Sequence, residues 1–332
     1  MNYKLGSLYG VVAAFLLATQ EPFSFLAAER LSALQFVFLT QAALLVSLPF
    51  LLARPKSRRA FAALFAEARN YLYFAAILAL GLAGLVLYNL GLSQTHPVIV
   101  SVILNLSPFW AALVALIVTR VPIPVSPLVF AACFAGAFLG AMAVTVSQLR
   151  GAGVSWGDVG QSLMKGAWLY VVPVPLLYAL SATLIGKWFA GRDESATIAA
   201  NFLVANVALI PTIAFLLYQR SELNLDHGRA IALMIAGTIM AGSFARVLYQ
   251  VAMTVTGNDN GFVTMFFNLV PALTALISFV LSRWISDLHV TLDPLFFGGL
   301  ALICASLAIF SLKSWRQPER LGVTAAPAPA RA

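Results

Sequence analysis

Asn105-Leu106-Ser107-Pro108, followed by Ala112-Leu113 and Arg120, recurs as Asn268-Leu269-Val270-Pro271, followed by Ala275-Leu276 and Arg283. Six residues keep their identity at identical offsets in two apolar stretches, which marks an internal repeat. Leu87-Tyr88 and Leu248-Tyr249 extend it upstream, with two extra residues in the second copy near Gly257-Asn258-Asp259-Asn260. The repeated unit therefore covers at least two helices, and the fold turns on how many membrane crossings separate the copies.

Of 332 residues, 61% are hydrophobic and 10% charged, with a mean hydropathy of +0.92. Soluble domains carry about 25% charged residues, so a water-soluble fold is excluded. At roughly 20 residues per crossing, the apolar side chains suffice for about ten transmembrane helices. Ten runs bounded by charge, Pro or Gly are found: Leu5 to Ala27, Leu31 to Leu52, Tyr71 to Leu92, Pro97 to Thr119, Pro127 to Val146, Gly166 to Phe189, Ala196 to Tyr218, Ala230 to Thr254, Gly261 to Ser282 and Leu292 to Leu312. Their longest connections are the basic segment from Arg54 to Asn70 and the polar segment from Ser147 to Lys165. The second is the natural seam between a first half, residues 1–150, and a second, residues 151–312. Residues 313–332 turn to Pro, Ala and charge, a composition that builds no core, and are expected to be a disordered cytoplasmic tail.

The repeat copies lie in the fourth and ninth runs, an odd number of crossings apart, so they traverse the membrane in opposite directions. The expected fold is thus an all-α integral membrane protein of ten transmembrane helices arranged as two inverted five-helix repeats. Inverted repeats characterise secondary transporters, in which substrate binds between the halves near the midplane. Pro108 and Pro271 fall mid-run and Pro22 falls late in the first run. Each removes a backbone donor and bends its helix, and such bends need polar neighbours.

The net charge of +8 is spread between the runs rather than gathered in a basic domain, so it reads as topology and not as nucleic-acid binding. With ten crossings, thirteen of the twenty Lys and Arg share the side of the termini, six lie opposite, and Arg246 falls within a run. This bias predicts cytoplasmic N- and C-termini. The first run, after Lys4, is interrupted by Glu21 and lacks an A-x-A site, so an uncleaved span is expected rather than a secretory signal. Cys133 and Cys304 have no Cys or His company and read as small buried hydrophobes. No metal site, no nucleophile paired with a base and no Walker loop are found. An enzyme, such as a lipid-linked transferase, is therefore not expected, nor is any cofactor.

Charge inside a bilayer costs roughly 2.5–3.5 kcal/mol per residue, so charges that remain there are compensated or used. Arg246, with Tyr249 and Gln250 at helical spacing, offers a fixed cation to a carboxylate, or else snorkels to the interface or ties down a freed carbonyl. Glu21 is the acid clearly within a run. It suits proton coupling or cation binding, or it is a headgroup residue if the first helix ends near Thr19. Helical rise puts the two about 12 Å apart in depth, which argues against their direct pairing. Asn105 and Asn268 begin the Pro-bent segments, where their amides bind substrate or satisfy carbonyls freed by the prolines. Ser101 and Thr264 lie one turn before them. Tyr88, Asn89, Gln20, Trp110 and Trp168 are further cavity candidates, each with an alternative as a packing or interface residue.

A five-helix unit with a mid-helix Leu-x-Pro, a small-residue apolar run behind it and a Gly-rich span ending in Tyr before it resembles the EamA-type branch of the drug/metabolite transporter superfamily. The likeness covers most of residues 5–312 and is strongest over Tyr88–Leu116 and Tyr249–Ser278. Where that family commonly has a Gly-Glu pair, this chain has Arg120-Val121 and Arg283-Trp284, so the likeness bears on fold more than on substrate. It implies ten helices, cytoplasmic termini and a central cavity. The expected activity is secondary active transport of small polar metabolites by alternating access, foremost as an amino acid or metabolite exporter. The alternative is proton-coupled efflux of drugs or hydrophobic cations through Glu21. Partners are then a small-molecule substrate and the lipid bilayer of a cell's inner membrane, with no nucleic acid and a monomer as the assembly.

Overall fold

The computed structural model describes residues 2–123, 125–220, 226–256, 263, 265–285 and 288–315. Among them, nine helices are long and apolar enough to cross a membrane, which makes the chain an all-α, multi-pass membrane protein. In chain order the helices are α1 (Tyr3–Arg30), α2 (Ala33–Leu51), the surface helix α3 (Pro55–Phe65), α4 (Ala68–Leu92), α5 (Pro97–Thr119) and α6 (Pro127–Gly151). They continue as α7 (Trp156–Trp188), α8 (Ser195–Gln219), α9 (Gly228–Tyr249), α10 (Phe266–Leu281) and α11 (Pro294–Lys313). Helical turns carry α9 on to Val255 and α11 on to Trp315.

Three elements depart from the sequence pattern. The ninth run, expected from Gly261, appears as α10, a helix shorter than the other spans that opens on a 3-10 turn at Met265–Leu269. Residues 257–262 and 264 lie outside the described residues. The basic connection folds as α3, because Pro55 starts a helix well and Phe61, Leu64 and Phe65 fall on one face against Phe74 and Phe189. The polar seam is helical as well: Ser155 caps Trp156–Lys165 by accepting from the Asp158 N–H (3.3 Å). A search for unbroken apolar runs passes over both, since each is apolar on one face only. Of the expected tail, residues up to 315 are helical, and the rest lies outside the described residues.

The helices pack in a recurring set of pairs. α1 lies along α9, α4 along α7, α5 against α7, α10 against α1, α2 against α8, and α5 against α10. An extensive contact joins α6 to α11, where Gly140 and Gly299 let the backbones touch. A Cβ on Gly140 would stand 2.6 Å from the Gly299 carbonyl oxygen, so only small residues allow this approach. At one end of that pair, Gln148 Nε2 donates to the Thr291 carbonyl (2.9 Å) while the Thr291 N–H donates back to Gln148 Oε1 (3.1 Å).

Contacts between loops sort the helix ends into two faces. On one, the Asn2 N–H donates to the Val255 carbonyl. On the same face Arg192 pairs with Glu67, Lys187 donates to the Val118 carbonyl (3.2 Å), and Tyr73 stacks on Trp188 at 4.6 Å. The opposite face carries the Gln148–Thr291 pair and His96. Tyr3 and Tyr71 on the first face, and Trp156, Tyr218 and Trp284 on the second, are exposed, as aromatic residues at the two edges of a bilayer are.

Candidate functional site

The site begins at a break in α1. Pro22 has no N–H to give the Ala18 carbonyl four residues back, and the helix is interrupted between Ala18 and Gln20. The Thr274 hydroxyl of α10 donates to that carbonyl (3.3 Å) and accepts from the Ser101 hydroxyl of α5 (3.1 Å). A chain of hydroxyls from two other helices thus repairs the bend, as backbone inside a membrane requires. The helix does not end near Thr19. It continues to Arg30, and Glu21, directly after the break, is 6% exposed with Oε2 free of any hydrogen-bond partner.

Glu21 lies within electrostatic reach of two phenols, Tyr88 of α4 and Tyr178 of α7. Tyr88 is 2% exposed, and its hydroxyl faces Ser24 without a hydrogen bond of standard geometry. Tyr178 also acts on Arg246 of α9. Its ring sits where Gly84 of α4 leaves space, since a Cβ there would come within 2.6 Å of Tyr178 Cε1. The Arg246 guanidinium lies 5.2 Å from the centre of the Phe202 ring of α8, a cation–π distance. A π-helical turn, Met240–Phe244, precedes it, the kind of irregularity that re-aims a side chain inside a helix.

Tyr178 and Arg246 are exposed. A guanidinium facing lipid at this depth would be costly. It lies instead over the Phe202 ring and within electrostatic reach of Tyr178. A pocket of about 110 Å³, lined by Arg54, Ser195, Val247 and Val251 among others, adjoins this region on the face of the N-terminus. The two charges stay apart. Gly237 of α9 packs against Phe23 Cβ and the Thr19 carbonyl, which sets it level with Glu21, and Arg246 follows nine residues later, about 13 Å along the helix. Among the described residues no ion pair joins them; Tyr178 is within electrostatic reach of both.

The remaining candidates disperse. Asn105 turns back on its own helix, donating to the Ser101 carbonyl (2.8 Å), and is half-buried. Asn268 donates to Ser311 of α11 (3.3 Å), and its carbonyl accepts from Cys304 (3.6 Å), so its contacts join α10 to α11. Pro108 and Pro271 sit in the first turns of the helical pieces Ser107–Thr119 and Val270–Leu281, just beyond the breaks. Tyr249 stacks on Phe267 at 5.4 Å. The Gln250 side chain and Thr264 lie outside the described residues. Trp168 is buried and borders a small apolar cavity of about 40 Å³ with Trp110 and Phe134, away from the charged group. Asn89 is buried beside Tyr88, with Nδ2 unpartnered.

Two titratable groups outside the spans are perturbed. Arg69 and Arg192 hold the Glu67 carboxyl below the usual carboxylate range. His96 caps α5, its Nδ1 accepting from the Val98 N–H (3.3 Å), and burial pushes it down to about 4. Among the described residues, no three His, Cys, Asp or Glu side chains gather as metal ligands.

Sequence reasoning singled out Arg246, Glu21 and Tyr88, and the structure brings them around Tyr178, which it had missed. Tyr178 lies outside the matched repeat, and its place is signalled by Gly84, a residue of another helix. Compared with known proteins, the chain matches no family model and no curated protein.

Proposed function

We propose that the chain is a secondary transporter of small polar metabolites, an exporter of amino acids or related compounds, working by alternating access. The observation that carries this is a fixed cation, Arg246, exposed within an apolar bundle beside residues of α7 and α8. Within reach of the same Tyr178 is a buried acid, Glu21, whose Oε2 has no hydrogen-bond partner. A gradient, not ATP, would drive it.

Ten crossings and an inverted repeat are the architecture behind this proposal. Val255 ends α9 on the face of Asn2, whereas Thr291, before α11, bonds to Gln148 on the opposite face. The chain must cross between them, and α10 is the described helix in that stretch. Exchanging α1 with α7, α2 with α8, α4 with α9, α5 with α10 and α6 with α11 leaves the main packing pairs in place. The α1–α9 contact becomes α7–α4, α5–α7 becomes α10–α1, and α2–α8, α5–α10 and α6–α11 map onto themselves. This exchange supports kinship with the EamA-type drug/metabolite transporters. The excess of Lys and Arg on the N-terminal face supports cytoplasmic termini in a cell's inner membrane.

Within this proposal, Arg246 holds an anionic group of the substrate, and Glu21 takes up a proton or cation during the cycle. Efflux of lipophilic cations is a second proposal, favoured by the acid among the rings of Tyr88 and Tyr178. Proteoliposomes loaded with a mixture of amino acids, nucleosides and organic cations test both, with mass spectrometry reading what crosses relative to empty liposomes. Selective movement of zwitterionic or anionic amino acids supports the exporter. Movement of lipophilic cations alone favours efflux, and no movement above empty liposomes overturns both.

A further inference from the structure

The segment that joins α2 to α4 carries Arg54, Lys56, Arg58, Arg59 and Arg69 against a single acid, Glu67. The fold divides these cations into two sets. Arg58 closes the end of α2, donating from Nε to the Leu52 carbonyl (2.7 Å) and from Nη2 to the Ala53 carbonyl (3.4 Å). Arg69 pairs with Glu67 (3.1 Å), which Arg192 also holds. Arg54, Lys56 and Arg59 are exposed, and none of the three has a hydrogen bond or ion pair among the described residues. Three neighbouring cations are thus left without an acid.

α3 turns them outward. Ser57, Phe61 and Leu64 recur at helical spacing on the side packed against the bundle, where Phe61 and Leu64 join Phe74, Phe189 and Ala196. Lys56, Arg59 and Ala63 lie on the exposed side. The flanks of α3 give its depth. Before it Phe50 is exposed, and after it the Tyr71 hydroxyl donates to the Phe65 carbonyl (3.2 Å) while Leu72 is 72% exposed. Leu72 needs acyl chains to cover it, and Tyr belongs at the headgroup level, so α3 runs along the headgroups of the leaflet on the N-terminal face. Beside Arg54, the pocket of about 110 Å³ is lined by Ser195 together with Phe50, Val247 and Val251. That mixture of walls suits the junction between a lipid's phosphate and its chains.

We propose that the end of α2 and the outer side of α3 form a binding surface for anionic phospholipid, with Arg54, Lys56 and Arg59 on its headgroup. A zwitterionic headgroup brings its own cation to offset the phosphate, whereas an anionic one leaves net charge for these three residues. Each Lys or Arg near an anionic leaflet favours it by about fivefold, so the set is enough to select one lipid class over the other. The inference requires a bilayer and not transport, and it stands apart from the activity proposed above.

Ala62 is exposed on α3, so Ala62→Cys, in a chain with Cys133→Ala and Cys304→Ala, carries a fluorophore to this surface. The full-length protein is reconstituted in phosphatidylcholine vesicles containing a minor fraction of nitroxide-labelled phosphatidylglycerol or nitroxide-labelled phosphatidylcholine. Quenching should be at least about twofold steeper with the anionic lipid, and the preference should shrink as salt is raised. Arg54→Gln, Lys56→Gln and Arg59→Gln together should abolish it. Lys4→Gln, Arg120→Asn and Lys313→Gln together remove as many exposed cations from the same face and should leave it in place. If the first triple variant fails to fold, the comparison of the two lipids on otherwise unaltered α3 and its salt dependence decide. Equal quenching by the two lipids, a preference that survives loss of Arg54, Lys56 and Arg59, or one lost equally in both triple variants would overturn the proposal. So would a preference abolished by inorganic phosphate at constant ionic strength, which would assign the three cations to a free anion instead.

Discussion

Two junctions in the bundle place a charge beside a phenol, and they differ in what surrounds them. Where α1 meets α4, Glu21 and Tyr88 are buried, and α4 also packs on α2. Between α7 and α9, Tyr178 and Arg246 are exposed, and the Phe202 ring of α8 lies 5.2 Å from the guanidinium. Under the helix exchange proposed above these junctions are counterparts, so the symmetry of packing is broken at the charged residues. An acid is kept where the helices close over it, and a cation is kept where they leave it exposed. A carboxyl has two accessible protonation states, whereas a guanidinium keeps its charge in either setting.

The sharpest way to break the comparison is to remove the open-side charge. Arg246→Ala should lower substrate affinity by about 2–5 kcal/mol, or from some thirty-fold upward in Kd, with the protein still monodisperse. Arg246→Lys should fall between, because it keeps the charge and loses the fork. Wild-type uptake in both variants would reduce Arg246 to a packing residue. Next in size, Glu21→Gln should flatten the pH dependence of flux while leaving binding at a single pH within about tenfold; an unchanged profile would remove the acid from the cycle.

Smaller effects sharpen the contrast without deleting a charge. Gly84→Ala puts a methyl against Tyr178, whose ring can yield, so little stability should be lost while the preference among substrates changes. Thr274→Val strips the hydroxyl from the Ala18 carbonyl and should cost about 1 kcal/mol, read as a lower Tm with selectivity intact. The smallest is expected at His96. Its imidazole stays neutral in the folded chain down to about 4, whereas unfolded histidine protonates near 6.5. The contribution of His96 is therefore complete above pH 6.5 and declines as pH falls towards 4. His96→Asn retains a capping acceptor and cannot titrate, so Tm should fall less over that window than in the wild type.

Much of the fold was legible because periodicity and proline placement act locally. The Asn-Leu-x-Pro copies fall where helical order breaks in α5 and near the start of α10, and run boundaries agree with helix ends to within a few residues at Leu92, Pro97 and Thr119. The helices α3 and Trp156–Lys165 were not legible as spans because half of each faces away from apolar surroundings. The candidate site was legible only in its charges. That Asn268 would turn to Ser311, or that Tyr178 would come within reach of both Glu21 and Arg246, depends on which helices become neighbours, and a single chain carries that in no local pattern. The nearest hint was Gly84, a missing side chain whose meaning lies in another helix.

Pro22 has a mechanical consequence. The backbone ladder of a membrane helix is hard to open, because no water waits in hydrocarbon to take over a lost rung. In α1 the rung at Ala18 is already absent, and its place is held by a threonine hydroxyl from another helix. Swinging the outer part of α1 therefore has one backbone rung fewer to break than in an unbroken helix, and one side-chain contact to release in its place. Glu21 rides on the moving side of that hinge, one residue beyond the gap, so the carboxyl and the softest point of the helix travel together.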